Sequence, residues 1–116
     1  MSITADLIRG HTDAIILNQL ASGDSYGYRI NLAIRAATEE KYALKEATLY
    51  TAFRRLEEAG YIRSYWGDEE SGARRRYYSI TNAGQEALAA ARAEWQTADR
   101  LIGRLLEPVT REGKTL

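Results

Sequence analysis

Apolar residues recur at intervals of three and four along four stretches of the chain, and this spacing predicts four helices. The first stretch covers residues 4–20, and turn-forming residues follow it at 22–24. Ser25 has the side chain of an N-terminal cap, so the second helix is expected to begin there and to end before Thr38. The N-terminal third of the chain therefore reads as two helices joined by a short turn.

The third helical stretch precedes two short segments of strand-like composition. Its helix is expected over residues 46–59, and Gly60 is expected to end it. Residues 61–66 and 74–80 are rich in aromatic and β-branched side chains and flank a polar turn, which predicts an antiparallel hairpin. Because a two-stranded hairpin is only marginally stable alone, we expect this one to pack on the helices.

The fourth helix is the longest and carries a regular apolar seam. Thr81 is placed to cap it and Pro108 to end it, and the polar residues after Glu107 are expected to fray. The alternating spacing of the seam favours packing against another helix. Its members are Leu88, Ala91, Trp95, Ala98, Ile102 and Leu105.

This order of elements predicts a mainly α fold with a β-hairpin wing, that is, a winged helix-turn-helix with a long C-terminal dimerisation helix. We assign residues 1–80 to a winged-helix DNA-binding domain and residues 81–107 to the C-terminal dimerisation helix. Residues 108–116 are expected to form a flexible tail.

Composition excludes several classes of function. Sixteen basic and sixteen acidic side chains cancel, so only the distribution of charge can argue for nucleic-acid binding. With no cysteine and His11 as the only histidine, the chain offers neither a zinc ligand set nor a catalytic triad, and we expect no enzyme activity, metal or cofactor. It has no basic-then-apolar leader and no apolar run that could span a bilayer, so we expect a cytoplasmic protein without a membrane partner.

Positive charge is concentrated on the third helix and on the second strand, the two elements that a winged helix presses against double-stranded DNA. The helix face opposite the apolar stripe carries polar and basic side chains, as insertion into a major groove requires. Because side chains alternate along a strand, Arg75 is expected on the opposite face from Arg74 and Arg76. The predicted DNA-binding residues are Thr48, Tyr50, Thr51, Arg54, Arg55, Arg74, Arg75 and Arg76.

Five segments, which together span most of the chain, resemble the PadR family of winged-helix transcriptional regulators. They are residues 26–30, 47–50, 54–57, 60–62 and 76–84. Ala47 and Thr51 stand where many family members have glycine and proline. The form of residues 46–51 and 64–69, together with Trp95, is similar to the small, multidrug-binding branch of that family.

The resemblance implies a homodimer joined by the last helix, and a repressor that a small molecule releases from operator DNA. It also implies that Trp95 lines a pore at the dimer interface and stacks on planar aromatic compounds. The small neighbours Ala91 and Ala98 leave space around the ring. A carboxylate at Asp99, or at Asp13 if the first helix lines the same cavity, would suit a cation. The expected ligand-binding residues, some of them implied by the resemblance alone, are Leu7, Asp13, Ala14, Asn18, Ala91, Trp95 and Asp99.

Two other interpretations stay open. In the first, Trp95 is an ordinary seam residue that fills a dimer core, and Asp99 is a solvated helix residue. In the second, the chain is a module that sequesters aromatic compounds or binds proteins and has weak affinity for DNA. Its zero net charge, and Glu57 and Glu58 at the exposed end of the third helix, favour this second alternative.

Overall fold

A computed structural model of the chain describes residues 3–68 and 74–111. Within them the chain forms five helices and one antiparallel hairpin, and the predicted winged-helix architecture with a long C-terminal helix is confirmed. The elements are α1 (Ile3–Arg9), α2 (Thr12–Ala21), α3 (Gly27–Ala37), α4 (Glu46–Glu58), β1 (Ile62–Asp68), β2 (Arg74–Ile80) and α5 (Asn82–Leu105).

The single helix predicted over residues 4–20 is wrong, because α1 and α2 are separated at Gly10 and His11. Glycine is a poor helix former, and the Thr12 hydroxyl donates to the carbonyl oxygen of Arg9 at 2.8 Å, which occupies one of the free acceptors at the end of α1. The apolar spacing continues across this turn. Periodicity alone therefore could not locate the break.

The cap predicted at Ser25 is also wrong. The main chain of Ser25 is extended and pairs with Tyr78 of β2, with one N–H···O bond in each direction at 3.2 and 2.8 Å. The Ser25 hydroxyl accepts from Nε of Arg29 at 3.0 Å instead of capping α3, which begins at Gly27 without a side-chain cap. Ser25 therefore joins the segment before α3 to the wing.

The core lies between α2, α3, α4 and the inner face of the hairpin. At its centre the ring of Phe53 in α4 stacks on Tyr78 in β2, with ring centroids 3.9 Å apart and planes 16° from parallel. This contact fixes the wing against α4. The buried apolar residues around it are Ile16, Leu17, Leu20, Ile30, Ile34, Leu44, Leu49, Ala52, Leu56, Ile62 and Leu88.

The hairpin register places Ile62 opposite Ile80 at its base and Trp66 opposite Arg76 towards its tip. Residues 69–73, which hold most of the predicted polar turn, lie outside the described residues. The stop predicted at Gly60 is confirmed, since this residue follows α4 with φ +82°, in the left-handed region that favours glycine.

The N-terminal cap predicted for α5 is confirmed, because the Thr81 hydroxyl accepts from the backbone N–H of Gly84 at 3.1 Å. Gly84 and Leu88 are the buried residues of this helix, and both lie in its first two turns. At about 1.5 Å per residue, its 24 residues extend over roughly 36 Å. Most of α5 is thus exposed to solvent in the single chain.

Candidate nucleic-acid interface and adjoining cavities

The exposed face of α4 carries the side chains predicted to contact DNA. The buried face of the helix packs on the core. Thr51 and Arg54 are exposed, and Thr48 is half-buried. Tyr50 lies edge-on to Phe53 at 5.6 Å between ring centroids, so its position is fixed by the core. Arg54 has no ion-pair or hydrogen-bond partner within the described residues.

Arg55 differs from Arg54 because its side chain forms an ion pair with Asp13 of α2. Nε of Arg55 donates to Oδ2 of Asp13 at 3.1 Å, and Nη2 donates to Oδ1. These hydrogen bonds to the carboxylate raise the pKa of Arg55 above its ordinary value. A residue predicted to reach DNA is therefore paired with one predicted to bind ligand.

A groove of about 330 Å³ lies beside the start of α4, and Arg9 of α1 lines it together with residues of α4. Thr48, Thr51 and Arg55 line one side of it, and Arg9 and Thr12 line the other. Arg9 also forms an ion pair with Asp6 at 2.5 Å. Sequence reasoning missed Arg9 because a single helix over residues 4–20 gave no reason to place it beside α4.

The three arginines of the wing lie on two faces, as strand alternation predicts. The guanidinium carbons of Arg74 and Arg76 lie over the ring of Trp66, at 5.2 and 5.4 Å from its centroid. Arg75 lies over the ring of Tyr26 instead, at 4.6 Å. Both faces of the wing therefore combine a cation with an aromatic ring.

Trp95 lies between two cavities, one of which shares Arg9, Thr12 and Arg55 with the groove beside α4. Its indole is about half exposed and meets His11 edge-on, with ring centroids 5.2 Å apart and planes at 75°. One cavity has a volume of about 650 Å³ and a charged lining that includes Asp13, Glu94 and Arg55. The other, of about 450 Å³, is mainly apolar.

The structure brings most of the predicted ligand-binding residues together around these cavities. Ala14, Ala91 and Trp95 line both, Asp13 lines the charged one, and Asn18 lines the apolar one, where it accepts a hydrogen bond from Arg92. Leu7 and Asp99 line neither. Sequence reasoning missed His11, which lines both, because a lone histidine next to a glycine carries no signal before the chain folds back on α5.

Residues 16–90 match the sequence profile of the transcriptional regulator PadR-like family. The chain therefore belongs to the PadR-like family. Members of this family are transcriptional regulators, so the chain is a regulator and not an enzyme.

Three relatives match this PadR-family chain over nearly the whole of their own length. A transcriptional regulator from Clostridium thermocellum is 47% identical, with a TM-score of 0.82, over 91% of this chain and 100% of that one. A PadR family transcription regulator from Clostridium difficile R20291 is 35% identical, with a TM-score of 0.71, over 83% and 98%. Uncharacterized protein X of Lysinibacillus sphaericus is 40% identical over 105 residues, 90% of this chain and 96% of its own length.

Two further observations bear on partners of this PadR-family regulator. The described residues contain no cluster of three or more side chains suited to hold a metal ion. Within the same part of the chain, every helix is too short or too polar to cross a membrane.

Proposed function

We propose that this PadR-family regulator is a homodimeric repressor that binds operator DNA through α4 and the wing and is controlled by planar aromatic, cationic compounds bound beside Trp95. The observation that carries the proposal is the ion pair between Arg55 and Asp13. It joins the helix expected to read DNA to the helix that lines the cavities. Ligand and DNA thus have a direct physical route by which to affect each other.

The distribution of charge supports DNA binding. Arg54 on α4 and Arg74 and Arg76 on the wing are exposed, while Tyr78 and Phe53 hold the wing to α4. Basic side chains fixed on one rigid surface can make several phosphate contacts at once. Thr48 and Thr51 lie in the first half of α4, where a recognition helix contacts base edges.

The exposed apolar side chains of α1 and α5 support a homodimer. Large exposed apolar patches are uncommon on monomers and mark interaction surfaces. In the single chain Leu7 is 61% exposed, and it is available to a second copy although it lines neither cavity. The other large exposed apolar side chains of these two helices are Ile3, Trp95, Leu101, Ile102 and Leu105.

The surroundings of Trp95 support an aromatic cation as the ligand. Half of the indole is free to stack, and its T-shaped contact with His11 orients it. The carboxylates of Glu94 and Asp13 line the adjoining cavity, and a cation near carboxylates and an aromatic face is favoured. Asp99 lines neither cavity of the single chain, but it is exposed one turn beyond Trp95, and a place for it at the rim of a dimer pore remains part of the proposal. Membership of the multidrug-binding branch is part of this proposal.

Tryptophan fluorescence tests the proposal. In a Trp66→Phe variant Trp95 is the remaining tryptophan, and titration with a planar acridinium cation should quench it saturably at micromolar concentration, with about one site per dimer. Adding DNA from upstream of the protein's own gene should change dye affinity by the same factor, and in the same direction, as dye changes DNA affinity. Tight dye binding that leaves DNA affinity unchanged would disprove control by ligand.

An alternative function is sequestration of aromatic compounds with weak DNA binding. It is favoured by the pairing of Arg55 with Asp13, which reduces the free positive charge on α4. Measuring DNA affinity at several salt concentrations separates the two functions. For a repressor, the logarithm of the affinity falls with the logarithm of the salt concentration, with a slope of about 0.9 per phosphate contact. Dye binding together with DNA binding that is absent at low salt would establish sequestration.

A further inference from the structure

Trp66 is a large aromatic side chain that does not fill the core. It is 50% exposed, on β1 near the tip of the wing. Its ring lies beside the guanidinium groups of Arg74 and Arg76. An exposed indole with two arginines over its ring requires an explanation other than core packing.

Strand register explains why the three side chains meet. Trp66 is directly opposite Arg76, and Arg74 is the next residue of β2 on the same face. Tyr78 continues that face towards the base of the hairpin, where it is buried against Phe53 of α4. Arg74 and Arg76 therefore extend, towards the wing tip, the hairpin face that packs on the recognition helix.

The contact with Trp66 restrains the arginines without using up their donors. An aromatic ring offers its π face and not a lone pair, so the N–H groups at the edge of each guanidinium stay available to phosphate oxygens. A flexible side chain loses conformational freedom when it binds, and a side chain that is already restrained loses less. Two guanidinium groups are thus restrained before binding, and their N–H donors remain available to phosphate oxygens.

The two arginines depend on Trp66 to different degrees. Arg76 also donates to the Ser64 hydroxyl at 2.7 Å, and that hydroxyl donates to Glu57 of α4 at 2.7 Å. For Arg74, the ring of Trp66 is the partner that the described residues supply. Loss of the indole should therefore release Arg74 more than Arg76.

We propose that Trp66 is a positioning residue for DNA binding, which holds Arg74 and Arg76 in a fixed orientation towards the phosphate backbone of a duplex. This inference rests on the proposed binding of DNA by α4 and the wing. It assigns to the exposed indole a role in preparing two cations rather than in contacting bases.

A double-mutant cycle on the full-length protein tests this role, with a 30-base-pair duplex of mixed sequence as the probe at low salt. Trp66→Leu should weaken binding by about fivefold, the upper range for an exposed cation–π contact. In the Arg74→Ala/Arg76→Ala background the same change should cost less than about twofold, because its effect acts through the arginines. Trp66→Phe should restore binding to within about twofold of the wild-type protein. Equal losses from Trp66→Leu in both backgrounds would overturn the proposal.

Tyr65→Leu is the matched control. Tyr65 is an exposed aromatic residue of the same strand, but it faces the opposite side and stacks on Tyr77. Its effect on affinity should be the same in both arginine backgrounds. If Tyr65→Leu instead loses its effect when the arginines are absent, the coupling is a general property of the wing and the specific role of Trp66 is wrong.

Two further outcomes separate this inference from the function on which it rests. If the wild-type protein does not bind the duplex, or if Arg74→Ala/Arg76→Ala binds it normally, the proposed DNA surface fails. If the double arginine variant loses affinity while Trp66→Leu keeps it, only the positioning role fails.

NMR of the unmodified protein gives an independent check. The ring current of Trp66 should shift the side-chain signals of Arg74 and Arg76, and unshifted signals would overturn the placement of these arginines beside the ring.

Discussion

Arg55 of α4 and Asp13 of α2 form a two-point ion pair although they are 42 residues apart in the sequence. The pair links two features, because both side chains line the charged cavity beside Trp95 and Arg55 also lines the groove at the start of α4. An aromatic cation that approached Asp13 would compete with Arg55 for the same carboxylate. Displacement of Arg55 is thus the simplest event by which a ligand could alter the surface of α4.

The change Asp13→Asn should release Arg55 and increase affinity for a mixed-sequence duplex. The freed guanidinium can contact a phosphate, so the slope of log affinity against log salt should steepen by about 0.9 between roughly 50 and 200 mM salt. The cost in stability should stay below about 1 kcal/mol, because the pair is exposed. Fluorescence anisotropy of labelled DNA measures the slope, and Asp99→Asn, which makes the same change in charge but lines neither cavity, is the control. Equal slopes in all three proteins would show that Arg55 does not reach DNA.

Substitution by alanine should have opposite effects on the stability of the protein at two glycines of α5. A Cβ at Gly84 would lie 2.2 Å from the carbonyl oxygen of Tyr61 and 2.7 Å from a side-chain carbon of Ile80, so Gly84→Ala should destabilise the protein by about 1–3 kcal/mol. A Cβ at Gly103 would have no neighbour within 4 Å, and alanine should stabilise the helix there by about 1 kcal/mol. Thermal unfolding measures both changes. A neutral Gly84→Ala would contradict the close approach of α5 to the base of the wing.

Stability should fall at alkaline pH through the ionisation of Tyr78. Burial raises the pKa of this phenol, so the folded protein holds the proton more tightly than the unfolded chain does. Its contribution to stability is fully present below the unfolded pKa of about 10 and is lost as pH rises through the higher folded value. The Tm of Tyr78→Phe should therefore decrease less between about pH 8 and pH 11 than that of the wild-type protein. Tyr28→Phe removes an exposed phenol and serves as the control. The Tm of this variant should decrease as much as that of the wild-type protein.

A charged side chain on the seam of α5 should prevent dimer formation. Ile102 is exposed in the single chain, and Ile102→Glu would place a carboxylate in the proposed helix–helix contact. Sedimentation equilibrium should give twice the 13.0 kDa chain mass for the wild-type protein and the single mass for this variant. Ala93→Glu, at an exposed position on the opposite side of α5, should remain dimeric. A monomeric wild-type protein would exclude the proposed dimer.

Local signals in the sequence were sufficient for most elements of the fold. The Thr81 cap, the glycine after α4 and the alternation of the wing arginines depend on neighbouring residues only, and the structure confirms each of them. The break at Gly10 was missed because apolar spacing continues through it. Ser25 was misread because its main chain pairs with Tyr78, a contact across more than fifty residues that overrides its tendency to cap a helix.

The candidate sites were only partly predictable, because they are assembled from distant segments. The pairing of Asp13 with Arg55 and the edge contact of His11 with Trp95 join α2, or the turn before it, to α4 and α5. In neither pair do the residue types or spacings around one residue predict which distant residue it contacts. Trp66 shows the same limitation, since only the strand register places the arginines beside it.

The short helix α1 has a thermodynamic consequence of its own. None of its seven residues, Ile3–Arg9, is buried in the single chain. A helix of this length is far below the roughly 12–15 residues at which an isolated helix becomes even marginally stable in water. In the proposed dimer, the surface that covers Ile3 and Leu7 would supply the free energy that stabilises α1, so association at this end of the molecule would be a coupled folding reaction. The helical signal per residue in circular dichroism should then rise with protein concentration, and the N-terminus should be open to proteases when the protein is dilute.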